Sequence, residues 1–241
     1  MQNCETIEEL HIKPLKLVQN KKLFCFGIDA ILLFDFCKIK QSQKICELCS
    51  GNGIISVLLS SKLQNGHIDA VEIQTEAFEL AKKSVKLNKI EGKVSLYNED
   101  LKNATQFLQK NTYDAIVCNP PYQKNCPTNV NKTPQISIAR QEICCTIGDI
   151  AKVSSNLLKN NGTLYLIHKT ERLADVFFAL KSHNLEPKRL TFIKPYIHKS
   201  PTMFLVESVK NAKSFLQITN DIIVYSSPNQ YSEQINKIYN R

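Results

Sequence analysis

From Lys44 onward the chain alternates short apolar runs with longer amphipathic stretches, the pattern of a parallel sheet covered by helices. KICEL (44–48) reads as a first strand and IISVLLSSKL (54–63) as the helix after it. HIDAVEI (67–73) is the second strand. In the next stretch, TEAFELAKKSVKLN, the residues Phe78, Leu80, Ala81, Val85 and Leu87 broadly suit one helical face. VSLYNED and YDAIVCN continue the series, and IGDIAKVSSNLLKN runs to Gly162, an expected helix stop. GTLYLIH, ERLADVFFALKSH, KRLTFI and TMFLVESVK complete it. The expected fold is α/β and Rossmann-like, with about seven strands, mostly parallel, and an antiparallel hairpin at one edge because the last two strands have no helix between them.

No repeat, low-complexity tract or Gly/Ser linker divides the chain, so residues 1–241 read as a single domain. Residues 1–43 form an extension packing on the core, and 44–241 form the core with a closing C-terminal helix in DIIVYSSPNQYSEQINKIYNR. The balance of 31 Lys+Arg against 22 Asp+Glu, a formal +9, favours a polyanionic partner, with nucleic acid first; the alternative is a coding bias toward Lys, Asn and Ile. Nine cysteines at irregular spacing make a poor disulfide framework and point to a reducing compartment, hence a cytoplasmic protein. No apolar run is long enough to cross a membrane. Cys46 and Cys49 form a CxxC, but Cys144 and Cys145 are adjacent rather than spaced as a second ligand pair, so no metal is expected. The oligomeric state is left open, a monomer or weak homodimer.

ELCSGNGIIS (47–56) is a strand running into a glycine-containing turn and then a helix. Gly51 and Gly53 allow positive φ and let backbone amides approach a ligand, while the helix N-terminus favours acceptors. Glu72 stands at the end of the second strand, where a carboxylate takes both hydroxyls of a ribose. The third glycine of a dinucleotide fingerprint is missing, since Ser56 occupies its place, which weighs against a pyrophosphate turn. Asp100, after the third strand, either receives an adenine amine, with Leu101 flanking the ring, or simply caps a helix.

Asn119-Pro120-Pro121-Tyr122 follows the strand YDAIVCN. The prolines fix φ and make the preceding residues extended, so the turn is stiff and its acceptors dominate. The Asn119 side-chain oxygen and the Pro120 carbonyl would hold the two N–H bonds of a planar amine and free its lone pair for attack. Tyr122 offers a stacking face, typically worth about 1–3 kcal/mol per base. The plainer alternative is a rigid turn.

With these motifs the chain resembles class I S-adenosylmethionine-dependent methyltransferases, in which NPPY handles planar amino nitrogens. FCFGIDAILL (24–33), ARQE around Arg140 and LEPKR (185–189) further resemble bacterial tRNA1(Val) adenine-N6-methyltransferases, which modify the adenosine 3′ of the anticodon. The resemblance implies S-adenosylmethionine as cofactor and tRNA as partner. It implies a catalytic group of Asn119, Pro120, Pro121 and Tyr122, and a cofactor site of Asp29, Glu47, Cys49, Gly51, Gly53, Glu72, Ile73, Asp100, Leu101 and Asn119. Within it, Asp29 and the 24–33 segment would close over the cofactor, although ILLFDF reads equally as a helix buried against the sheet. One departure is Glu47-Leu48-Cys49-Ser50, where relatives more often show Asp-Leu-Gly-Thr.

RNA contacts are expected from two basic groups. Lys124, Lys132 and Arg140 lie in the polar insertion beside the active site, and Lys188, Arg189, Lys194 and Lys199 interleave with Phe192 and Tyr196. The rival chemistry is glutamine-N5 methylation of release factors, which uses the same NPPY logic but needs a larger N-terminal helical domain. DNA adenine methylation is disfavoured because no separate target-recognition domain is present. The rival of another class is a non-catalytic RNA-binding module with a vestigial cofactor fold, against which the intact Gly51, Gly53, Glu72 and NPPY weigh.

Overall fold

The computed structural model describes residues 5–20, 27–122 and 145–239. An antiparallel hairpin, β1 (Glu5–Glu9) and β2 (Lys16–Asn20), precedes helix α1 (Ile28–Phe36). Strand and helix then alternate: β3 (Lys44–Leu48), α2 (Ile54–Ser60), β4 (His67–Val71), α3 (Thr75–Leu87), β5 (Val94–Tyr97), the short α4 (Ala104–Phe107) and β6 (Tyr113–Cys118). The second half adds α5 (Ile147–Leu157), β7 (Leu158–Lys169), α6 (Leu173–Ser182), β8 (Leu185–Lys194) and β9 (Met203–Lys210). Short strands β10 (Gln217–Ile218), β11 (Ile222–Ile223), β12 (Tyr225–Ser227) and β13 (Gln230–Tyr231) lead to the closing helix α7 (Glu233–Ile238).

The main sheet has the order β10-β8-β9-β7-β6-β3-β4-β5, with β11 also paired to β8. Pairing is parallel throughout except at β9, which is antiparallel to both β7 and β8. The expected seven strands and their antiparallel hairpin are present. The hairpin is not quite the outer edge, because the two-residue strands β10 and β11 lie beyond β8. Strand order reverses between β3 and β6, the place where open α/β sheets bind ligands.

Successive strand residues face opposite helical layers, so nearly every position is apolar. Ile45, Ile68, Ala115 and Val117 join the core beneath α1 and α2, whereas Cys46, Leu48, Val71, Ile116 and Cys118 join the one beneath α5 and α6. Helix α1 has no polar face; all but Ile28 and Asp35 of its residues are buried, which realises the buried-helix reading of ILLFDF. The hairpin β1–β2 docks on α3, where the Val18 N–H donates to Ser84 Oγ at 2.9 Å and the Lys16 N–H to Asn88 Oδ1 at 2.9 Å.

Strand β8 splits the second basic group. At about 3.3 Å per residue, Lys188 and Lys194 stand about 20 Å apart along the strand. Arg189 is corrected from RNA contact to packing: it bridges Glu207 at 2.7 Å, donates to the Phe36 carbonyl at 2.8 Å and lies 3.6 Å above the Phe36 ring. Lys188 donates to the Lys213 carbonyl at 3.0 Å and is remote from the carboxyl ends of the strands. Removing Arg189 would leave the Glu207 carboxylate unpaired with only 18% of its side chain exposed. Arg189→Ala should therefore lower the unfolding free energy by about 2–3 kcal/mol, somewhat under the cost of breaking a fully buried pair. Lys188→Ala should change it by less than about 0.5 kcal/mol, and urea denaturation of the two variants separates the cases.

Candidate active site

Register brings the site together. Leu48 pairs with both Val71 and Cys118, and Val71 with Tyr97, so four strands end level with one another. The residues that follow, Cys49, Glu72, Asn98 and Asn119, therefore emerge in one row. Cys49, Glu72 and Asn119 border a cavity of about 480 Å³ that also touches Gly27, Asp29, Glu47, Ser50, Gly51, Ile73, Asp100, Leu101, Pro120, Pro121 and Tyr122. That size suits a nucleoside-scale ligand.

The loop after β3 turns sharply. Gly51 has φ +56° and Gly53 φ +79°, and a side chain on Gly53 would meet the Ala81 side chain of α3 at 3.0 Å. Gly53 thus combines a left-handed backbone with close helix packing. Cys49 also has φ +59°, a conformation glycine adopts freely and a cysteine holds at about 1–2 kcal/mol. The loop keeps the turn without that glycine, and the Cys49 side chain is accommodated 3.7 Å from the Cys145 sulfur. Hydrogen bonding with Cys118 holds the Cys49 thiol well above its ordinary range, so it stays protonated. Among the described residues, no group of three or more His, Cys, Asp or Glu side chains is arranged to hold a metal ion.

Glu72 is buried and oriented by backbone donors. Its Oε2 accepts from the Gly51 N–H at 2.7 Å and its Oε1 from the Gln74 N–H at 2.8 Å. A carboxylate has about four lone-pair positions, so two remain for hydroxyls in the cavity. Asn98 donates to the carbonyls of Glu72 and Ile73 at 2.9 and 3.2 Å and stiffens that corner. Ser50 borders the cavity, and its buried Oγ has no hydrogen-bond partner within the described residues. Asp100 caps the turn after β5 by accepting from the Lys102 N–H at 2.9 Å, while Leu101 buries itself beside it. The capping reading of Asp100 is thus realised, and the residue also borders the cavity.

Opposite these residues stands the NPPY corner. Asn119 Nδ2 donates to Asp29 Oδ2 at 3.1 Å, and the Tyr122 hydroxyl donates to the same oxygen at 2.8 Å while touching Asn119 Oδ1. Burial, then the Asp29 charge, push the Tyr122 phenol far above its usual range. Its ring meets the His168 ring edge-on at 5.6 Å. Burial lowers His168, keeping the imidazole neutral there.

The sequence reading weighs Cys145 only as a metal ligand and does not assign Ser50, Asn98 or Lys169 to the site; Ser50, Cys145 and Lys169 border the cavity, and Asn98 braces the corner beside it. Asn98 had a usable signal, since it follows β5 as Glu72 follows β4. Lys124, Lys132 and Arg140 lie outside the described residues, as do Phe24 and the rest of 21–26. Lys194 pairs with Asp221 at 2.7 Å. Lys199 is exposed near a ladder of rings in which Tyr196 stacks on His198 at 5.9 Å and continues through Tyr225 and Tyr231 to Tyr239.

A family model described as "Methyltransferase small domain" matches residues 26–182. The chain belongs to that family. It is 24% identical over 208 residues to a tRNA1(Val) (adenine(37)-N6)-methyltransferase of Aliivibrio salmonicida, covering 79% of this chain and 87% of the relative. To the protein of the same name from Trichodesmium erythraeum it is 25% identical over 237 residues, covering 96% and 97%. In three dimensions it is similar to a predicted O-methyltransferase of Agrobacterium tumefaciens, with TM-score 0.71, 18% identity and coverage of 88% and 95%. It also superposes on a geranyl diphosphate C-methyltransferase of Streptomyces coelicolor at TM-score 0.56, 10% identity and coverage of 75% and 79%. These likenesses establish a methyltransferase fold.

In this methyltransferase burial holds two carboxyls above the ordinary carboxylate range. Glu47 lies under the cavity floor with its oxygen against Ser56 Oγ, and burial pushes its carboxyl up to about 8. The folded state thus holds a proton that the unfolded chain releases near pH 4.5. Stability from this group is complete below that pH and declines as pH rises through about 8. Burial raises Glu72 too, with the same sign. Urea denaturation across this range should show wild-type stability falling with pH, and Glu47→Gln should flatten most of that slope.

Proposed function

We propose that this chain methylates the exocyclic N6 amino group of an adenosine in tRNA, using S-adenosylmethionine, next to the anticodon of tRNA1(Val). The observation that carries the reading is the position of the NPPY corner across one cavity from the Gly51–Glu72 corner. The residues present fit the cofactor: Glu72 has lone pairs left for ribose hydroxyls, Ile73 and Leu101 give apolar flanks for an adenine, and the Ser50 hydroxyl lacks a partner. When bound, the cofactor supplies an electrophilic methyl on a sulfonium.

The chain's own part is positioning, which accounts for much of the catalysis in such transfers. Asn119 Oδ1 and the Pro120 carbonyl accept the two N–H bonds of the incoming amine, and Tyr122 lines the path of the flipped base. No base is required of the protein, because the methylated amine loses its proton to water. We read the docked hairpin, α1 and the sheet as one catalytic unit. On the RNA side, Lys199 and the exposed His198 end of the ring ladder suit an unpaired loop, with Lys169 at the cavity rim. The 195–202 segment adjoins that rim, since the Thr170 N–H donates to the Thr202 carbonyl at 3.0 Å. Lys124, Lys132 and Arg140, outside the described residues, are further RNA contacts proposed from the sequence alone.

Incubation with labelled methyl donor and total tRNA, followed by nucleoside mass spectrometry, should give N6-methyladenosine in a single host tRNA. A parallel incubation with a peptide-release factor should leave it unlabelled; a labelled release factor beside unmethylated tRNA would establish the glutamine reading. Asn119→Ala should slow transfer at least about 1,000-fold, to a residual rate that single-turnover conditions still measure, while S-adenosylhomocysteine affinity by calorimetry holds within about twofold. Glu72→Ala should weaken that affinity at least about tenfold through the lost hydroxyl contacts. Lys199→Ala should raise the tRNA KM and reduce its salt dependence by about one ion.

A further inference from the structure

The first turn of α1 brings Asp29 into the NPPY corner from ninety residues upstream in the chain, and its carboxylate is only 8% exposed. One oxygen, Oδ2, accepts from both Asn119 Nδ2 and the Tyr122 hydroxyl. The other, Oδ1, accepts from the Ala30 N–H at 3.0 Å. Gly27 leaves the space that this arrangement needs, since a side-chain carbon there would stand 2.7 Å from Oδ1.

An asparagine amide has two faces of opposite character, a donor end and an acceptor end. With the nitrogen bound to a carboxylate, Asn119 must present its oxygen elsewhere, because the flipped amide would set oxygen against carboxylate. In the structure that oxygen is capped by the Tyr122 hydroxyl, which has one proton and two acceptors in reach, Asn119 Oδ1 and Asp29 Oδ2. An amino group arriving at Asn119 Oδ1 therefore has a ready exchange, in which the hydroxyl keeps Asp29 as its sole acceptor.

We propose that Asp29 is a positioning residue for methyl transfer: it fixes the Asn119 amide with its oxygen toward the incoming amine and receives the Tyr122 hydroxyl that the amine displaces. This rests on the reading of the site as an amine methyltransferase, and it differs from a role for Asp29 in holding the cofactor.

Asp29→Asn tests it with almost no change of shape. Either orientation of the new amide puts a donor against a donor, at Ala30 N–H or at Asn119 Nδ2 and the Tyr122 hydroxyl. The expected result is a kcat lower by about 10- to 100-fold, the scale of a small misplacement, with S-adenosylhomocysteine affinity held within about twofold. Under single-turnover conditions, Asp29→Asn combined with Asn119→Ala should be no slower than Asn119→Ala alone, because the two act as a unit. Multiplying losses would overturn the proposal, and a fall in cofactor affinity matching the fall in rate would return Asp29 to the cofactor site.

A substrate-free arm separates this from the assignment of the substrate. In 15N-labelled wild-type protein the Asn119 side-chain amide, assigned by its loss in Asn119→Ala, should exchange slowly with solvent. It should exchange rapidly in Asp29→Asn; equal exchange in both would overturn the positioning role even if tRNA proved not to be the substrate. Should Asp29→Asn fail to fold, Gly27→Ala crowds Oδ1 without altering the carboxylate, at a backbone φ of −103° that alanine adopts readily. It should give the same pattern of slowed transfer and faster Asn119 exchange, and normal values of both would count against the proposal.

Discussion

The alignment of four parallel strand ends governs this molecule. Parallel pairing forces every strand from β3 to β6 to leave the sheet at the same edge, and the register makes them leave at the same level. Each following residue is therefore free of the ladder at the same depth, with its backbone available for turns and its side chain aimed over the sheet's rim. The glycine loop, the Glu72 corner, the Asp100 turn and the NPPY corner need no long-range device to meet. They meet because strand order reverses between β3 and β6, which parts the flanking helices and leaves a crevice.

Rigidity is supplied differently at the two sides of that crevice. On the Glu72 side it is hydrogen bonding, with backbone donors on both carboxylate oxygens and Asn98 bracing the carbonyls beneath. On the NPPY side two prolines remove backbone freedom, and Asp29 orients what the prolines cannot, the side chains of Asn119 and Tyr122. Helix α1 can deliver that carboxylate because it is buried nearly all round and so has one resting place against α2 and the sheet.

Much of this was legible in the chain, and what was not has common causes. The seven core strands announced themselves because each is a short apolar run between longer amphipathic helices, and Gly51, Gly53, Glu72 and Asn119 lay at fixed offsets from strand ends. Arg189 misled, since its neighbours in sequence are basic whereas its partners, Glu207 and Phe36, come from a neighbouring strand and from a helix 153 residues away. Two-residue strands such as β10 and β11 carry no periodicity at all. Cys49 shows that a left-handed turn can persist without its glycine when packing elsewhere fixes the loop, a tertiary effect invisible to local propensity. By resemblance alone Asp29 is expected at the cofactor, and only the fold reveals that the side chains of Asn119 and Tyr122 both donate to it.

The distribution of charge ties these parts to one task. The chain carries a formal +9, yet among the described residues the cavity is bordered by the acids Asp29, Glu72, Glu99 and Asp100, besides the protonated Glu47, with only Lys102 and Lys169 of basic type. A surface built solely to hold RNA would carry its cations into the crevice. Here acids line the pocket and the exposed Lys199 stands outside it, a division that would draw a cationic small molecule inward and, on the proposed function, keep a polyanion at the rim. Such a division suits a reaction between a sulfonium donor and a base swung out of a nucleic acid, because the reactants arrive through opposite fields and meet only at the corner where Asn119 stands.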